Sequence, residues 1–282
     1  MKVLVTGVGG QLGYDVMKEL KKREIDCCGA DRAEFDITDF QATKDFIMAY
    51  MPDAVIHCSA YTAVDKAEEE IELCRAVNAE GTENIAKVCK DIDAKMIYIS
   101  TDYVFPGTGE HFYEPEDSTA PCNVYGETKL EGELAVKGLL EKFFIVRISW
   151  VFGINGNNFI KTMLKLGTSR KELSVVADQV GSPTYTADLA ILLVDMVSTE
   201  KYGIYHATNE GICSWADFAE EIFAAAGLAV KVNHITSEEY PTKATRPKNS
   251  RMSKNKLLEN GFNRLPSWED AVERYVKLIL EG

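Results

Sequence analysis

Near its start the chain reads Lys2-Val3-Leu4-Val5-Thr6-Gly7-Val8-Gly9-Gly10-Gln11-Leu12-Gly13, and this stretch decides the fold. A short β-branched apolar run passes straight into glycines, and an amphipathic segment from Tyr14 to Lys22 follows. The order is strand, tight turn, helix. Gly7, Gly10 and Gly13 can adopt backbone angles barred to other residues and let the main chain approach a pyrophosphate, whose charge then sits at a helix N-terminus. The spacing is G-x-x-G-x-x-G with Gly9 between, a variant of G-x-G-x-x-G that still permits the turn.

Working outward, Ile25 to Ala30 is a second apolar run ending at Asp31-Arg32. An acidic side chain there accepts hydrogen bonds from an adenosine ribose, which argues for NADH, whereas Arg32 could receive the extra phosphate of NADPH. The choice of cofactor stays open. Asp36-Ile37 either bounds an adenine slot or supplies, through Asp36, the N-cap of a helix over Asp39 to Tyr50. Asp53 to Cys58 is a third buried strand closed by Ser59-Ala60-Tyr61-Thr62-Ala63, small residues that allow a cofactor to lie against the backbone. His57 lies inside that strand and reads as a packed, hydrogen-bonded residue. A helical segment from Glu68 to Asp91 precedes a fourth strand, Lys95 to Ile99, and a fifth runs from Phe143 to Ile148. Alternation of this kind gives an α/β fold with a doubly wound parallel sheet. Residues 1–150 form the dinucleotide-binding domain in this reading, and 151–282 a smaller substrate-binding subdomain interleaved with returns to the sheet.

The strand ends carry the chemistry. Ser100-Thr101-Asp102-Tyr103-Val104-Phe105 and Ser149-Trp150-Val151-Phe152-Gly153 should face the crevice where open α/β sheets bind ligands. Val124-Tyr125-Gly126-Glu127-Thr128-Lys129 sets a phenol and an ammonium on one helix face. A nearby cation favours the phenolate, so Lys129 is expected to lower the Tyr125 pKa and make it a general acid. Strand alternation should point only one of Ser100 and Thr101 inward, and Thr101 is the choice.

Composition narrows the partners. The 282 residues carry a formal net charge of -13, which disfavours nucleic acid and anionic membranes. Any anionic ligand must be held locally. The one concentrated basic stretch, Tyr240 to Arg251, offers Arg246 and Arg251 as a diphosphate clamp, against the alternative of a solvated basic loop. No apolar run approaches the length of a membrane span, the N-terminal run is short for a signal peptide, and the seven cysteines include no C-x-x-C pair. A cytoplasmic protein is expected.

With these motifs in hand, the chain resembles the extended short-chain dehydrogenase/reductase family, whose sheet is a Rossmann fold. The resemblance runs nearly end to end and includes Ala63-Val64-Asp65-Lys66-Ala67-Glu68, Asn157-Asn158-Phe159 and Arg246-Pro247-Lys248-Asn249-Ser250-Arg251. It implies hydride transfer from NADH or NADPH to the C4 ketone of a dTDP-linked 4-keto-6-deoxy sugar, for cell-surface polysaccharide. It further implies Tyr125 as proton donor, Lys129 on the nicotinamide ribose and Thr101 on the reacting oxygen. Gly10, Gln11 and Leu12 match the pyrophosphate loop, Asp31 and Asp36-Ile37 the adenosine side, and Ala60-Tyr61-Thr62 the turn beneath the cofactor. Thr101, Asp102 and Trp150 match substrate contacts. Some relatives dimerise through magnesium held by glutamates. The corresponding segment here is Ser182-Pro183-Thr184-Tyr185-Thr186-Ala187-Asp188, so no metal is expected, and the chain is a monomer or homodimer. Two other readings remain: another nucleotide-sugar reductase or epimerase, and a non-catalytic subunit resembling the regulatory subunit of methionine adenosyltransferase.

Overall fold

A computed structural model describes residues 1–281. The first half alternates as its apolar runs require: β1 (Lys2–Thr6), α1 (Gln11–Lys22), β2 (Asp26–Ala30), α2 (Phe40–Tyr50), β3 (Ala54–His57), α3 (Val64–Ala67), α4 (Ile71–Arg75), α5 (Gly81–Asp91), β4 (Lys95–Thr101), α6 (Val124–Leu139) and β5 (Phe143–Ile148). The second half is built from shorter pieces. They are β6 (Val151–Phe152), α7 (Phe159–Gly167), β7 (Glu172–Val176), β8 (Val180–Gly181), β9 (Thr184–Tyr185), α8 (Thr186–Val197), β10 (Gly203–His206), β11 (Cys213–Ser214), α9 (Trp215–Ala225), β12 (Lys231–Ile235), α10 (Asn255–Glu259) and α11 (Trp268–Glu281).

Six strands form one sheet in the order β2-β1-β3-β4-β5-β10, with every pair parallel. This is the doubly wound sheet expected from the sequence. Its central strands are largely apolar because helices cover both faces. The direction of winding reverses between β1 and β3, and a crevice opens beyond the carboxyl ends at such a point. A second apolar core, including Phe152, Phe218, Phe223, Trp268 and Tyr275, lies on the second-half elements. Between these pieces α8 packs on α1 and β10 joins the edge of β5.

Two local readings are corrected. The N-cap of α2 is Asp39, whose side chain accepts from the Ala42 amide at 3.0 Å, whereas Asp36 turns back to the Thr38 amide and hydroxyl at 3.0 and 2.7 Å. The expected helix over Glu68 to Asp91 is interrupted by a π-helical turn at Ala76–Glu80. That wider turn carries Asn78, whose side chain accepts from the Tyr61 amide at 2.8 Å and donates to the Thr128 hydroxyl at 3.2 Å. It ties the turn after β3 to the helix bearing Tyr125, and such turns recur at functional sites.

Candidate active site

The glycine turn lies at the point where the winding reverses. Gly7 has φ +71°, and a Cβ there would stand 2.7 Å from the Ser59 amide nitrogen, so only glycine lets the turns after β1 and β3 touch. The first turn of α1 has amides without intrahelical partners, and its N-cap, Gly10, has no side chain to cover them. A cavity of about 280 Å³ opens beside it, walled by Gly7, Gly10, Asp31, Asp36, Ile37 and Ala60. That size suits part of a nucleotide, and unpaired amides at one end with carboxylates at the other fit a dinucleotide. Asp31 is fixed by the loop it faces, its Oδ2 accepting from the Gly9 amide at 2.9 Å. Gly9 was no more than a spacer in the sequence pattern. Arg32 is exposed and reaches Asp36 at 3.5 Å.

Other residues expected around the cofactor have different engagements. The Gln11 side chain accepts from the Gly153 amide at 2.8 Å and from Asn158 Nδ2 at 3.0 Å, while Leu12 is buried in the core, so any contact from these two runs through backbone amides. Tyr61 and Thr62 lie beyond the cavity wall, and the Tyr61 hydroxyl donates to Glu70 at 2.5 Å. His57 is packed as expected, its ring nitrogens 2.7 Å from the Thr6 hydroxyl and 3.2 Å from that of Thr82. Burial pushes its pKa down to about 3, so the ring is neutral.

Across the crevice, α6 starts at Val124 because the Asn123 side chain accepts from the Gly126 amide at 2.8 Å. This cap sets Tyr125 in the first turn, its ring edge-on to Tyr103 at 5.5 Å. Loss of water around the Tyr125 hydroxyl pushes the phenol above its ordinary range, more than the nearby Thr101 hydroxyl brings it down. Lys129 is 2% exposed; its ammonium donates to the Ile99 carbonyl at 2.6 Å and lies 4.1 Å from the centre of the Tyr98 ring. Burial pushes it down to about 7. The expectation that Lys129 lowers the Tyr125 pKa is therefore not met in this arrangement: the ammonium is spent on a carbonyl, and desolvation dominates. A raised pKa keeps the phenol protonated at neutral pH, the form a proton donor needs.

Ser100 and Thr101 divide as strand alternation requires. Ser100 donates to Glu133 at 2.5 Å, and Thr101 donates to Asp102 at 3.1 Å on the Tyr125 side. Asp102 also accepts from Ser250 at 2.5 Å, and burial lifts its carboxyl to about 6. Trp150, with φ +50°, stacks on Trp215 at 3.9 Å between ring centres. The basic loop is tied to neighbouring carboxylates, with Arg246 part-buried and Lys243 and Lys248 exposed. Arg246 donates to Asp65 at 2.7 Å and to the Tyr103 hydroxyl at 3.3 Å, Lys248 pairs with Asp178 at 3.0 Å, and Lys243 pairs with Glu69. Arg251 donates to the Asn249 side chain at 2.9 Å.

One cluster escaped the sequence reading. Arg147, within the apolar run of β5, makes a two-pronged pair with Glu133 at 2.8 and 2.7 Å, and both are buried. The available signal was a charged residue inside a strand and a glutamate four residues after Lys129. Among the described residues, Asp217, Glu220 and His234 could together approach a cation; all are exposed, the Asp217 side chain accepts from the amide of Ser214, the N-cap of α9, at 2.8 Å, and His234 pairs with Glu220 at 2.9 Å.

A glycine turn at the reversal of a parallel sheet, faced by a Tyr-x-x-x-Lys helix and a strand-end threonine, defines an NAD(P)-dependent oxidoreductase of the short-chain dehydrogenase/reductase class. Within that class, residues 1–280 match the model described as the RmlD substrate binding domain, and the chain belongs to this family. It is 39% identical over 276 residues to the spore coat polysaccharide biosynthesis protein SpsK of Bacillus subtilis (strain 168), covering 98% of this chain and 97% of that protein. It is also similar to the crystal structure of a dTDP-4-dehydrorhamnose reductase from Clostridium acetobutylicum ATCC 824, with TM-score 0.97, 42% identity, and 99% of this chain and 100% of that one covered. A third likeness is to the dTDP-4-dehydrorhamnose reductase of Bacillus anthracis str. Ames, solved in complex with NADP: TM-score 0.95, 44% identity, and 100% and 99% covered.

Proposed function

We propose that this chain reduces dTDP-4-keto-L-rhamnose to dTDP-L-rhamnose with NADH or NADPH. What supports the reading is Tyr125 and Lys129 on one face of α6, with the Lys129 ammonium reaching the Ile99 carbonyl two residues before Thr101 on β4, in a chain matched along nearly its full length by reductases of this kind. Bound reduced nicotinamide supplies the hydride. Hydride arriving at C4 turns the ketone into an alkoxide, and Tyr125 donates the proton that completes the alcohol. Thr101 hydrogen-bonds the same oxygen by turning its single hydroxyl proton from Asp102 Oδ1 to the substrate. Lys129 holds the nicotinamide ribose. The amides at the start of α1 take the pyrophosphate, Asp31, Asp36 and Ile37 line the adenosine side, and Ala60 lies beneath it.

Residues 151–282, with Asp102 from the first half, serve mainly the sugar nucleotide in this reading. Trp150 bounds the sugar, and Arg246 and Arg251 attract the diphosphate, Arg246 by exchanging Asp65 for phosphate oxygens. No described helix is long and apolar enough to cross a membrane, and the seven cysteines are free; the reading is of a cytoplasmic enzyme, a monomer or homodimer. The test is oxidation of NADH and, separately, NADPH followed at 340 nm with dTDP-4-keto-L-rhamnose. Turnover with dTDP-L-rhamnose as the product, identified by mass and NMR, supports the reading; a protein that binds cofactor but leaves the sugar unreduced overturns it.

A further inference from the structure

Ser250 lies far from Asp102 in sequence, yet the two side chains meet out of water. The Ser250 hydroxyl donates to Asp102 Oδ2 at 2.5 Å, and each residue is 3% exposed. Ser250 has little freedom to be elsewhere. Its amide donates to the Val180 carbonyl at 2.8 Å, and the Val180 amide returns a bond to the Lys248 carbonyl at 2.9 Å. One residue earlier, the Asn249 amide donates to Gly107 at 2.9 Å and its side chain to the His111 carbonyl at 2.9 Å. Gly181 completes the clamp: a Cβ there would lie 2.9 Å from the Ser250 Cβ and 3.1 Å from the Trp150 ring. Only a glycine at that position leaves room for both side chains on the same wall.

Without substrate the Asp102 carboxylate is held on both oxygens, Oδ1 by Thr101 at 3.1 Å and Oδ2 by Ser250; once Thr101 turns to the substrate, Ser250 alone holds it. A carboxylate has about four acceptor sites, so each oxygen keeps a lone pair for a further donor. We propose that Ser250 is a positioning residue for the sugar end of the substrate, fixing Asp102 so that its free lone pairs meet sugar hydroxyls. This rests on the reading of Asp102 as a substrate contact. Ser250 sits four residues after Arg246 on the same loop, so one segment sets both the diphosphate end and the sugar end. Recognition of the sugar is thereby tied to the seating of that loop.

The test is calorimetric titration with dTDP-L-rhamnose and, separately, with dTDP, on the full chain and on Ser250→Ala, Ser250→Cys, Asp102→Asn and the double variant Ser250→Ala/Asp102→Asn. Losing one hydrogen bond to a charged group should weaken dTDP-L-rhamnose binding by about tenfold in Ser250→Ala, with dTDP affinity kept within about twofold. Ser250→Cys, a similar volume with a weaker donor, should fall between. Adding Ser250→Ala to Asp102→Asn should cost nothing further, because the serine acts through the carboxylate. Equal binding of dTDP-L-rhamnose by the wild type and Ser250→Ala overturns the proposal and leaves the sugar-nucleotide reading intact. Equal losses for dTDP and dTDP-L-rhamnose also overturn it, as the sign of a merely structural serine. A wild type that binds dTDP-L-rhamnose no better than dTDP removes the sugar-site reading and the proposal with it.

Discussion

Replacing Lys129 by methionine should make the protein more stable and less able to hold its cofactor. Lys129 is buried, and burial pushes its pKa down to about 7 in the folded chain, from 10.5 for a free lysine. At about 1.4 kcal/mol per pH unit, holding the charged form in the crevice costs up to about 5 kcal/mol. Lys129→Met removes that cost but strands the Ile99 carbonyl, now bonded at 2.6 Å, for about 1–3 kcal/mol. The net expectation is a gain of about 1–3 kcal/mol at pH 6.5, roughly 2–5 °C in thermal midpoint for a chain of this size. The sign of the pH dependence follows from proton counting. Between pH 7 and 10.5 the unfolded chain binds the Lys129 proton and the folded chain has released it, so wild-type stability rises with pH across that window. The advantage of the variant should shrink to almost nothing by pH 9. Thermal melts of both proteins at pH 6.5 and 9, with NADH titrations by fluorescence, read both effects. A variant that melts several degrees below wild type at pH 6.5, or by the same difference at both values, would refute the reasoning.

Tyr125→Phe should lower kcat about 10²–10⁴-fold, the usual contribution of a positioned general acid, with NADH affinity unchanged within about twofold by fluorescence titration. Gly7→Ala, forced to φ +71° with its Cβ 2.7 Å from the Ser59 amide, should lose several degrees in thermal midpoint and most of its cofactor affinity. Breaking the buried Glu133–Arg147 pair by Arg147→Met or Glu133→Leu alone should cost about 3–5 kcal/mol, whereas the double variant should melt above either single one. Arg246→Ala should raise KM for the sugar nucleotide about tenfold and leave KM for NADH alone in steady-state assays.

Much of the sheet was legible because its first five strands are short, largely apolar runs of four to seven residues, each followed within two residues by glycine, serine or aspartate. The sixth strand was harder to place. Gly203-Ile204-Tyr205-His206 sits on the sheet edge and carries no long apolar run, so only its pairing with β5 reveals its place. The helical stretch before β4 has a continuous apolar rhythm that hides the π turn, whose purpose is the long-range reach of Asn78 to Tyr61 and Thr128. Around the crevice, strand ends and the Tyr125 helix could be read from local spacing, since alternation and the i, i+4 face are local facts. Partners distant in sequence could not. Asp65 for Arg246, Ser250 for Asp102 and Glu133 for Arg147 each depend on loops or helices meeting in three dimensions. The Tyr125 pKa failed for a related reason: spacing places a cation nearby but cannot show that Ile99 has already claimed it.

The most direct measurement follows the hydride itself, with NADH dideuterated at C4 of the nicotinamide and dTDP-4-keto-L-rhamnose as acceptor. Deuterium at C4 of the sugar in dTDP-L-rhamnose, in one equivalent per NADH consumed, is the expected result. A sugar recovered without deuterium, whether unchanged or inverted at a carbon, would contradict the assignment of this chain as a reductase.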